Sequence, residues 1–384
     1  MPVERMRTVS LRGLVTPATG IFAASRVAIW AVALAALAWF PIATVKGASY
    51  TMMPHTAHLD FGAGLWARWD SGFFLEIAQK GWGDDGTAAY YPVYPSLIGI
   101  VGLVTAHYTL VGIVISLLAC LIAFELLWRL ARARFGSEEG AERTVLYLAL
   151  TPMAVFLGAV YSESTYLMLA LAAFAFAERR RWALASGAAA LALLTRPQGL
   201  AVVAAVAVLA WPHRRALAWL LLVPAAFAFY PLVLWIQFRQ PWAFVTVERI
   251  DWSRHLSPLG PLGGLWDGTS ALWRFTGDQH VTVLNAENLA FALVYLALLV
   301  LVWRYCTRAE SVFATISVLA AMSAPIHGVV PLNSVPRYGL VIFPFYLVLA
   351  RLGAKRRANA AIIGVSALLL GVEVVKWATF QWVS

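Results

Sequence analysis

Long apolar segments follow one another along most of the chain and are separated by short polar stretches. The segments are rich in Ala and Leu and show no alternation of polar and apolar positions, which argues against the strands of a membrane barrel. Backbone amides in lipid need hydrogen-bond partners within the protein, and a helix supplies them within one segment. The pattern predicts an all-α polytopic membrane protein with about eleven transmembrane helices. The predicted spans are 21–45, 108–130, 143–160, 164–178, 183–196, 198–212, 216–236, 289–306, 311–326, 338–352 and 359–378.

The composition agrees with this pattern. Hydrophobic residues make up 61% of the chain and charged residues 12%, and the mean hydropathy is +0.75. Soluble domains carry about 25% charged residues. The chain has too little polar surface to cover a globule in water.

The basic residues indicate the orientation of the chain. With the N-terminus inside and strictly alternating sides, the inner face receives 19 of the 29 basic and 7 of the 19 acidic residues. The net charge is then about +12 inside and −2 outside, as the positive-inside rule requires. This placement accounts for the overall charge of +10 without a nucleic-acid partner. We therefore expect a multi-pass protein of the plasma membrane with a cytoplasmic N-terminus.

Two long loops, at about 46–107 and 237–288, are expected on the outer face, whereas the inner loops are short. The apolar stretch 92–107 is too short to span, and counting it would invert the arginine cluster that follows, so it is expected to be interfacial or re-entrant. The run 21–45 is too long for a signal peptide and is expected to be retained. Residues 1–384 are thus expected to form one membrane-embedded domain with its chemistry outside the cell.

The first outer loop contains an amphipathic pattern. Trp66, Trp69, Phe73 and Ile77 recur at helical spacing, and Gly81 follows them as a C-terminal stop. The pattern predicts a helix that lies on the membrane surface with its aromatic side chains in the interface.

Asp70 lies at the edge of that apolar face. Desolvation of a carboxylate disfavours its charged form, which would make Asp70 a usable general base. Alternatively, Asp70 caps a turn or pairs with Arg68 or Lys80. The residues alone leave both interpretations open.

Other polar residues between apolar runs also have two interpretations. Arg196 separates two apolar stretches, where a charge costs about 2.5–3.5 kcal/mol and therefore needs a partner. It either binds a lipid phosphate or extends to the interface. Glu163 is a hairpin cap or a site carboxylate, and Arg337 binds phosphate or anchors a helix. The aromatic and proline residues 90–95 are suited to a platform for a sugar or a lipid.

The remaining polar groups predict structure rather than chemistry. Glu373 and Lys376 are one helical turn apart and are expected to pair. Cys120 and Cys306 each lie in or beside an apolar run, so neither a disulfide nor a metal site is expected. The histidines show no ligand spacing, and the chain has no nucleotide-binding motif in a usable context.

Several motifs together resemble the GPI mannosyltransferase II (PIG-V-like) family of C-type glycosyltransferases that use a polyprenyl-phosphate sugar. The composition, rich in Ala and in Arg over Lys, is typical of a bacterial member. The resemblance covers about residues 20–350. Its motifs, in chain order, are Arg68-Trp69-Asp70-Ser71-Gly72-Phe73-Phe74, Tyr91-Pro92-Val93-Tyr94-Pro95, Tyr161-Ser162-Glu163-Ser164, Thr195-Arg196-Pro197-Gln198-Gly199, Gln240-Pro241-Trp242-Ala243-Phe244 and Arg337-Tyr338.

The resemblance implies a C-type glycosyltransferase-like helical bundle, with interfacial helices in the first outer loop and an outward-facing active site. It implies transfer of a sugar, typically mannose, from a polyprenyl-phosphate donor to the hydroxyl of a lipid or glycan acceptor with inversion. Asp70 is then the catalytic base, and Arg196 and Arg337 bind the donor phosphate. The expected substrate-binding residues are Arg68, Trp69, Tyr91, Tyr94, Glu163, Gln198 and Tyr338. The chain lacks an Asp-x-Asp motif, so neither a metal nor another cofactor is expected.

Two other classes of function compete with sugar transfer. A lipid or small-solute transporter or flippase places its charges near the bilayer midplane, often with repeat symmetry, whereas the carboxylates here are expected on outer loops. Arg196 keeps that alternative open. A structural scaffold leaves the outer Trp, Asp and Arg cluster unexplained.

Overall fold

The computed structural model describes residues 16–42, 62–83, 86–274 and 279–383. Within these ranges the chain is helical, and the one β-type pairing is an isolated bridge between Arg254 and Ile326. This confirms the all-α prediction. The helices are α1 Pro17–Trp39, α2 Ser71–Lys80, α3 Val93–Thr105, α4 Tyr108–Phe135, α5 Glu138–Leu150, α6 Glu163–Glu178, α7 Trp182–Leu193, α8 Gly199–Ala210, α9 Leu222–Phe227, α10 Phe229–Phe238, α11 Ala243–Ile250, α12 Pro261–Trp273, α13 Gln279–Tyr305, α14 Arg308–Ser323, α15 Val335–Gly339, α16 Pro344–Leu352 and α17 Arg356–Ala378.

Five helical segments of the described part are long and apolar enough to cross a bilayer. They are Pro17–Trp39, Tyr108–Phe135, Arg214–Phe238, Gln279–Tyr305 and Arg356–Ala378. This confirms a multi-pass membrane protein. Each of the eleven predicted spans overlaps a helix or a run of short helices, but the number that cross the bilayer stays a prediction.

Helix ends follow local sequence signals. Gly136 ends α4 in the left-handed conformation with φ +65°, which glycine adopts without steric cost. Ser137 then caps α5 by accepting the N–H of Gly140. At α14, Thr307 and Glu310 form a reciprocal capping box.

Small residues bring α6, α7 and α8 close together. Ala185, Ala189 and Ala192 of α7 are fully buried, and α7 contacts both neighbouring helices. Small side chains allow membrane helices to approach closely without polar groups between them. The packing places the start of α6 beside the break between α7 and α8, where the charged groups of the candidate site lie.

The prediction for the first outer loop is wrong in two respects. The helix begins at Ser71, and Trp66 belongs to a short 3-10 segment before it. Trp66 and Trp69 are also buried inside the protein rather than in the lipid interface. The reason is a long-range contact, because the Trp69 ring packs edge-on against Trp377, with the ring centroids 4.9 Å apart.

The stretch after this loop forms α3, whose 13 residues extend about 20 Å. That is less than the roughly 30 Å of hydrocarbon, and the interfacial placement stays a prediction. Residues 43–61 of the loop and Asp84-Asp85 lie outside the described residues.

Partly buried polar pairs join distant helices. The predicted pair is confirmed, with Lys376 Nζ 2.8 Å from Glu373 Oε2 and 3.2 Å from Glu287 Oε2 of α13. Glu125 of α4 accepts the hydroxyl of Thr19 at 2.8 Å, which joins α1 to α4. Cys120 and Cys306 are both free thiols.

Candidate active site

Asp70 makes an ion pair with a residue far away in the sequence. Arg337 Nη1 of α15 lies 2.6 Å from Asp70 Oδ2. The Asp70 side chain accepts no capping hydrogen bond from α2, and Lys80 pairs with Glu76 instead, at 3.1 Å. The alternatives in which Asp70 caps the helix or pairs with Lys80 are therefore wrong.

The backbone before Asp70 is held in a strained conformation. Trp69 has φ +45°, which a bulky side chain rarely adopts. Such strain persists only where packing determines it, and here the Trp69 ring contacts Trp377, Phe380 and Trp382. The Asp70 N–H donates to Tyr161 Oη at 3.2 Å, which fixes the turn further. The Asp70 carboxylate is thus presented from a rigid position.

Glu163 joins two arginines behind this pair. Its side chain is fully buried, with Oε1 2.5 Å from Arg196 Nη1 and 3.4 Å from Arg337 Nε. Arg196 is also nearly buried, and its Nη1 donates to Ser162 Oγ at 3.2 Å. The alternative in which Arg196 extends to the interface is therefore wrong. Glu163 therefore pairs with two arginines of the candidate site, and its part in the chemistry stays a prediction.

A third arginine, Arg254, approaches the same tyrosine as the other two. The Cζ atoms of Arg196, Arg254 and Arg337 lie 5.7, 5.7 and 5.9 Å from the centroid of the Tyr338 ring. Arg254 Nε lies 3.4 Å from Glu248 Oε2. Three guanidinium groups therefore gather around one aromatic ring, an arrangement suited to an anionic ligand.

Burial and neighbouring charges set the protonation of two of these groups. Burial alone would lower the pKa of Arg337, but Asp70 and Glu163 raise it well above its ordinary value. Burial raises the pKa of Glu248, and nearby Arg254 opposes that rise. Arg337 therefore stays cationic, while Glu248 holds a proton more readily than an exposed glutamate does.

The charged groups line a polar cavity of about 130 Å³. A second and mainly apolar cavity of about 690 Å³ adjoins it, between α8, α11 and α14. Residues that line both cavities mark the junction. They are Tyr91, Pro197, Gln198, Glu248, Arg254 and Tyr338.

The structure brings most of the predicted site residues to the polar cavity. Those that line it are Trp69, Asp70, Tyr91, Arg196, Gln198, Arg337 and Tyr338, and Glu163 lies directly behind them. Arg68 and Tyr94 do not line it. The Arg68 Cζ atom lies 4.5 Å from the centroid of the Phe380 ring. The Tyr94 hydroxyl shares a hydrogen bond with the Ser116 hydroxyl, with the two oxygens 2.8 Å apart. Their positions support packing rather than contact with a substrate.

The sequence interpretation missed Glu248 and Arg254. Both lie in the predicted second outer loop, six positions apart, in a stretch with other charges and no distinguishing spacing. The aromatic residues around them were the available signal, since Trp252 also lines the cavity. Among the described residues, no group of three or more His, Cys, Asp or Glu side chains is placed to hold a metal ion. Metal independence stays a prediction.

Comparison with known proteins supports the predicted resemblance over part of the chain. Residues 43–213 match the family model described as Mannosyltransferase (PIG-V). That stretch contains Asp70, Glu163 and Arg196, whereas Arg254 and Arg337 lie beyond it. The resemblance to this family is therefore confirmed for the part that carries the proposed base.

Curated relatives also match part of the chain. GPI mannosyltransferase 2 of Yarrowia lipolytica is 30% identical over 133 residues, which cover 34% of this chain and 37% of the relative. The proteins of the same name from Drosophila pseudoobscura and Schizosaccharomyces pombe are each 26% identical, over 108 and 114 residues, and each match covers 24% of the relative. The matched region thus spans between about a quarter and two fifths of the length of these relatives.

Among solved structures, the arabinosyltransferase EmbB of Mycobacterium smegmatis aligns with 98% of this chain and 42% of its own. The TM-score is 0.41 and the sequence identity 18%.

Proposed function

We propose, from the match of residues 43–213 to the PIG-V mannosyltransferase family, that this chain is a membrane mannosyltransferase. The proposed donor is a polyprenyl-phosphate mannose, and the acceptor is a hydroxyl group of a lipid or glycan. The site faces the outside of the plasma membrane, as the charge distribution predicts. One observation carries the proposal, namely a rigidly held carboxylate beside a cluster of arginines in one cavity.

The reaction needs a base and a means to stabilise a departing anion. Asp70 would accept the proton of the acceptor hydroxyl while the acceptor oxygen bonds to the anomeric carbon. The bond from that carbon to the phosphate oxygen breaks, and polyprenyl phosphate leaves with the electron pair. Attack from the face opposite the leaving group inverts the anomeric centre. Phosphate is a good leaving group, so no general acid is required.

Arg196 and Arg337 are proposed to stabilise the negative charge that develops on the leaving phosphate. Glu163 holds both guanidinium groups in place before the donor arrives, which lowers the cost of organising the site. Trp69, Tyr91, Gln198 and Tyr338 line the polar cavity and are proposed to contact the sugar. The adjoining apolar cavity is suited to the lipid part of the donor.

The transporter alternative has less support. Transport requires a polar path across the bilayer, whereas the charges of the candidate site gather at one cavity and compensate one another. The relatives that match the chain carry the name of a transferase. Transfer is therefore the function that the observations favour.

A transfer assay tests the proposal. Purified protein is incubated with polyprenyl-phosphate mannose labelled in the sugar and with extracted membrane lipids, and labelled products are separated from the donor. We expect a labelled lipid or glycan product that requires the protein. If the folded protein consumes no lipid-linked sugar, the proposed activity is excluded.

Orientation is tested by cysteine labelling of intact cells. Lys80, whose side chain is 72% exposed, is expected on the outer face, and Arg180 is expected on the inner face. A membrane-impermeant thiol reagent should modify Lys80→Cys in intact cells and Arg180→Cys only after permeabilisation. Labelling with the opposite pattern would invert the proposed topology.

A further inference from the structure

We propose that Arg254 binds the phosphate of the lipid-linked donor, at the junction between the polar and the apolar cavity. The inference rests on the proposed donor class and assigns a role to a residue that the sequence interpretation did not single out. It follows from where the two cavities meet and from the geometry of the Arg254 guanidinium.

A polyprenyl-phosphate sugar has three parts in a fixed order, a sugar, a phosphate and an apolar chain. If the sugar occupies the polar cavity and the chain the apolar one, the phosphate lies at their border. Among the described residues, Glu248 and Arg254 are the charged side chains that line both cavities. Arg196 and Arg337 line only the polar cavity. The guanidinium at the border is therefore that of Arg254.

The Arg254 guanidinium is fixed in place, and it keeps N–H groups that can donate to a ligand. Nη1 donates to the carbonyl of Ala324 at 3.2 Å, and Nη2 donates to the carbonyl of Asn333 at 3.4 Å. Each of these nitrogens carries a second N–H, and the pair can bind two oxygens of one phosphate. The backbone contacts fix the side chain in advance, so binding costs less conformational entropy.

The other two arginines are more fully compensated. Arg337 pairs with Asp70 and Glu163, and Arg196 pairs with the fully buried Glu163. Arg254 has the weaker partner, because the Glu248 carboxylate is 3.4 Å away and its side chain is 40% exposed. Its Oε2 atom is nevertheless buried, and this burial raises the pKa of Glu248, which lowers the cost of losing its charge when an anion arrives. A donor phosphate would thus replace Glu248 as the anionic partner of Arg254.

Direct binding separates this role from catalysis. Affinities of the purified protein are measured for polyprenyl phosphate and for polyprenol of the same chain length, and their ratio reports the contribution of the phosphate. Arg254→Gln should reduce that ratio by about 10- to 100-fold, as expected for charge-assisted hydrogen bonds, while polyprenol affinity stays nearly constant. A ratio equal to that of the wild type would overturn the proposal.

Arg239→Gln is the matched control. Arg239 directly follows α10 in the same predicted outer loop, is exposed and lines neither cavity. The variant removes the same charge from the same region, and the affinity ratio should stay within about twofold of the wild type. An equal loss in both variants would indicate a general effect of positive charge and would overturn the specific role of Arg254.

A second variant leaves Arg254 and its backbone contacts in place. Glu248→Gln removes the competing negative charge, so polyprenyl phosphate should bind several-fold more tightly, with polyprenol unaffected. Unchanged or weaker binding would contradict the proposal. If the wild type binds polyprenyl phosphate more tightly than polyprenol but transfers no mannose, the proposed function is excluded and the phosphate site serves another reaction. If the wild type transfers mannose but Arg254→Gln leaves the affinity ratio unchanged, only the role of Arg254 is excluded.

Discussion

Replacing Asp70 by asparagine is expected to reduce the turnover number for sugar transfer by about 10²–10⁴-fold, the range that general-base catalysis typically contributes. The amide keeps the size of the side chain and retains an oxygen for Arg337, but it cannot accept the acceptor proton. Rates are measured at saturating donor and acceptor with the lipid-extract assay. The KM for the donor should change only a few-fold, because the arginines that face the phosphate remain.

The control for this variant is Glu76→Gln on the same helix. Glu76 pairs with the exposed Lys80 on the surface of α2, away from the residues that line the polar cavity. Its turnover number should equal that of the wild type. If Asp70→Asn kept more than a tenth of the wild-type turnover number, Asp70 would not be the base.

The second large effect is on stability. Glu163→Gln should lower the free energy of unfolding by about 3–5 kcal/mol, as is usual when one partner of a buried ion pair is removed. The Glu163 side chain is fully buried between two arginines, and its loss leaves Arg196 without the carboxylate 2.5 Å away. Arg337 keeps its pair with Asp70, so Arg196 carries most of the uncompensated charge. Unfolding of the solubilised protein by heat or denaturant measures the change.

Two further variants test the origin of that effect. Glu163→Gln combined with Arg196→Gln removes both charges and should recover part of the lost stability, since the two effects are coupled. Glu76→Gln, which breaks an exposed pair, should change the free energy of unfolding by no more than about 1 kcal/mol. A loss in Glu163→Gln no larger than that of the surface variant would show that the buried pair does not stabilise the fold.

The sequence predicted the helices well, because a bilayer imposes length and apolarity on each span and both are local properties. The predicted span 108–130 corresponds to α4, and 359–378 corresponds to α17, each within a few residues. The start of α2 was misplaced because a tertiary contact decides it. Trp69 and Trp377 are about 300 residues apart, and helical spacing cannot indicate that their rings touch.

The candidate site was predicted in part for a related reason. Asp70, Arg196 and Arg337 were expected to be functional, but the salt bridges that join them through Glu163 connect residues far apart in sequence. Arg68 and Tyr94 belong to the same motifs as true cavity residues and were assigned with them. Neighbouring side chains on a turn or helix point in different directions, so membership of a motif does not place a side chain in a cavity. Glu248 and Arg254 had no local signal and became visible only through the junction of the cavities.

The charges around the cavity sum to zero when all are ionised. The six groups are Asp70, Glu163, Glu248, Arg196, Arg254 and Arg337. A phosphodiester donor adds one negative charge beside the largely buried ion pairs of the cavity, and an uncompensated charge there is costly. Glu248, whose pKa is raised by burial, is suited to take up a proton in response. We therefore expect donor binding to withdraw protons from the solvent, so that the heat of binding depends on the ionisation enthalpy of the buffer.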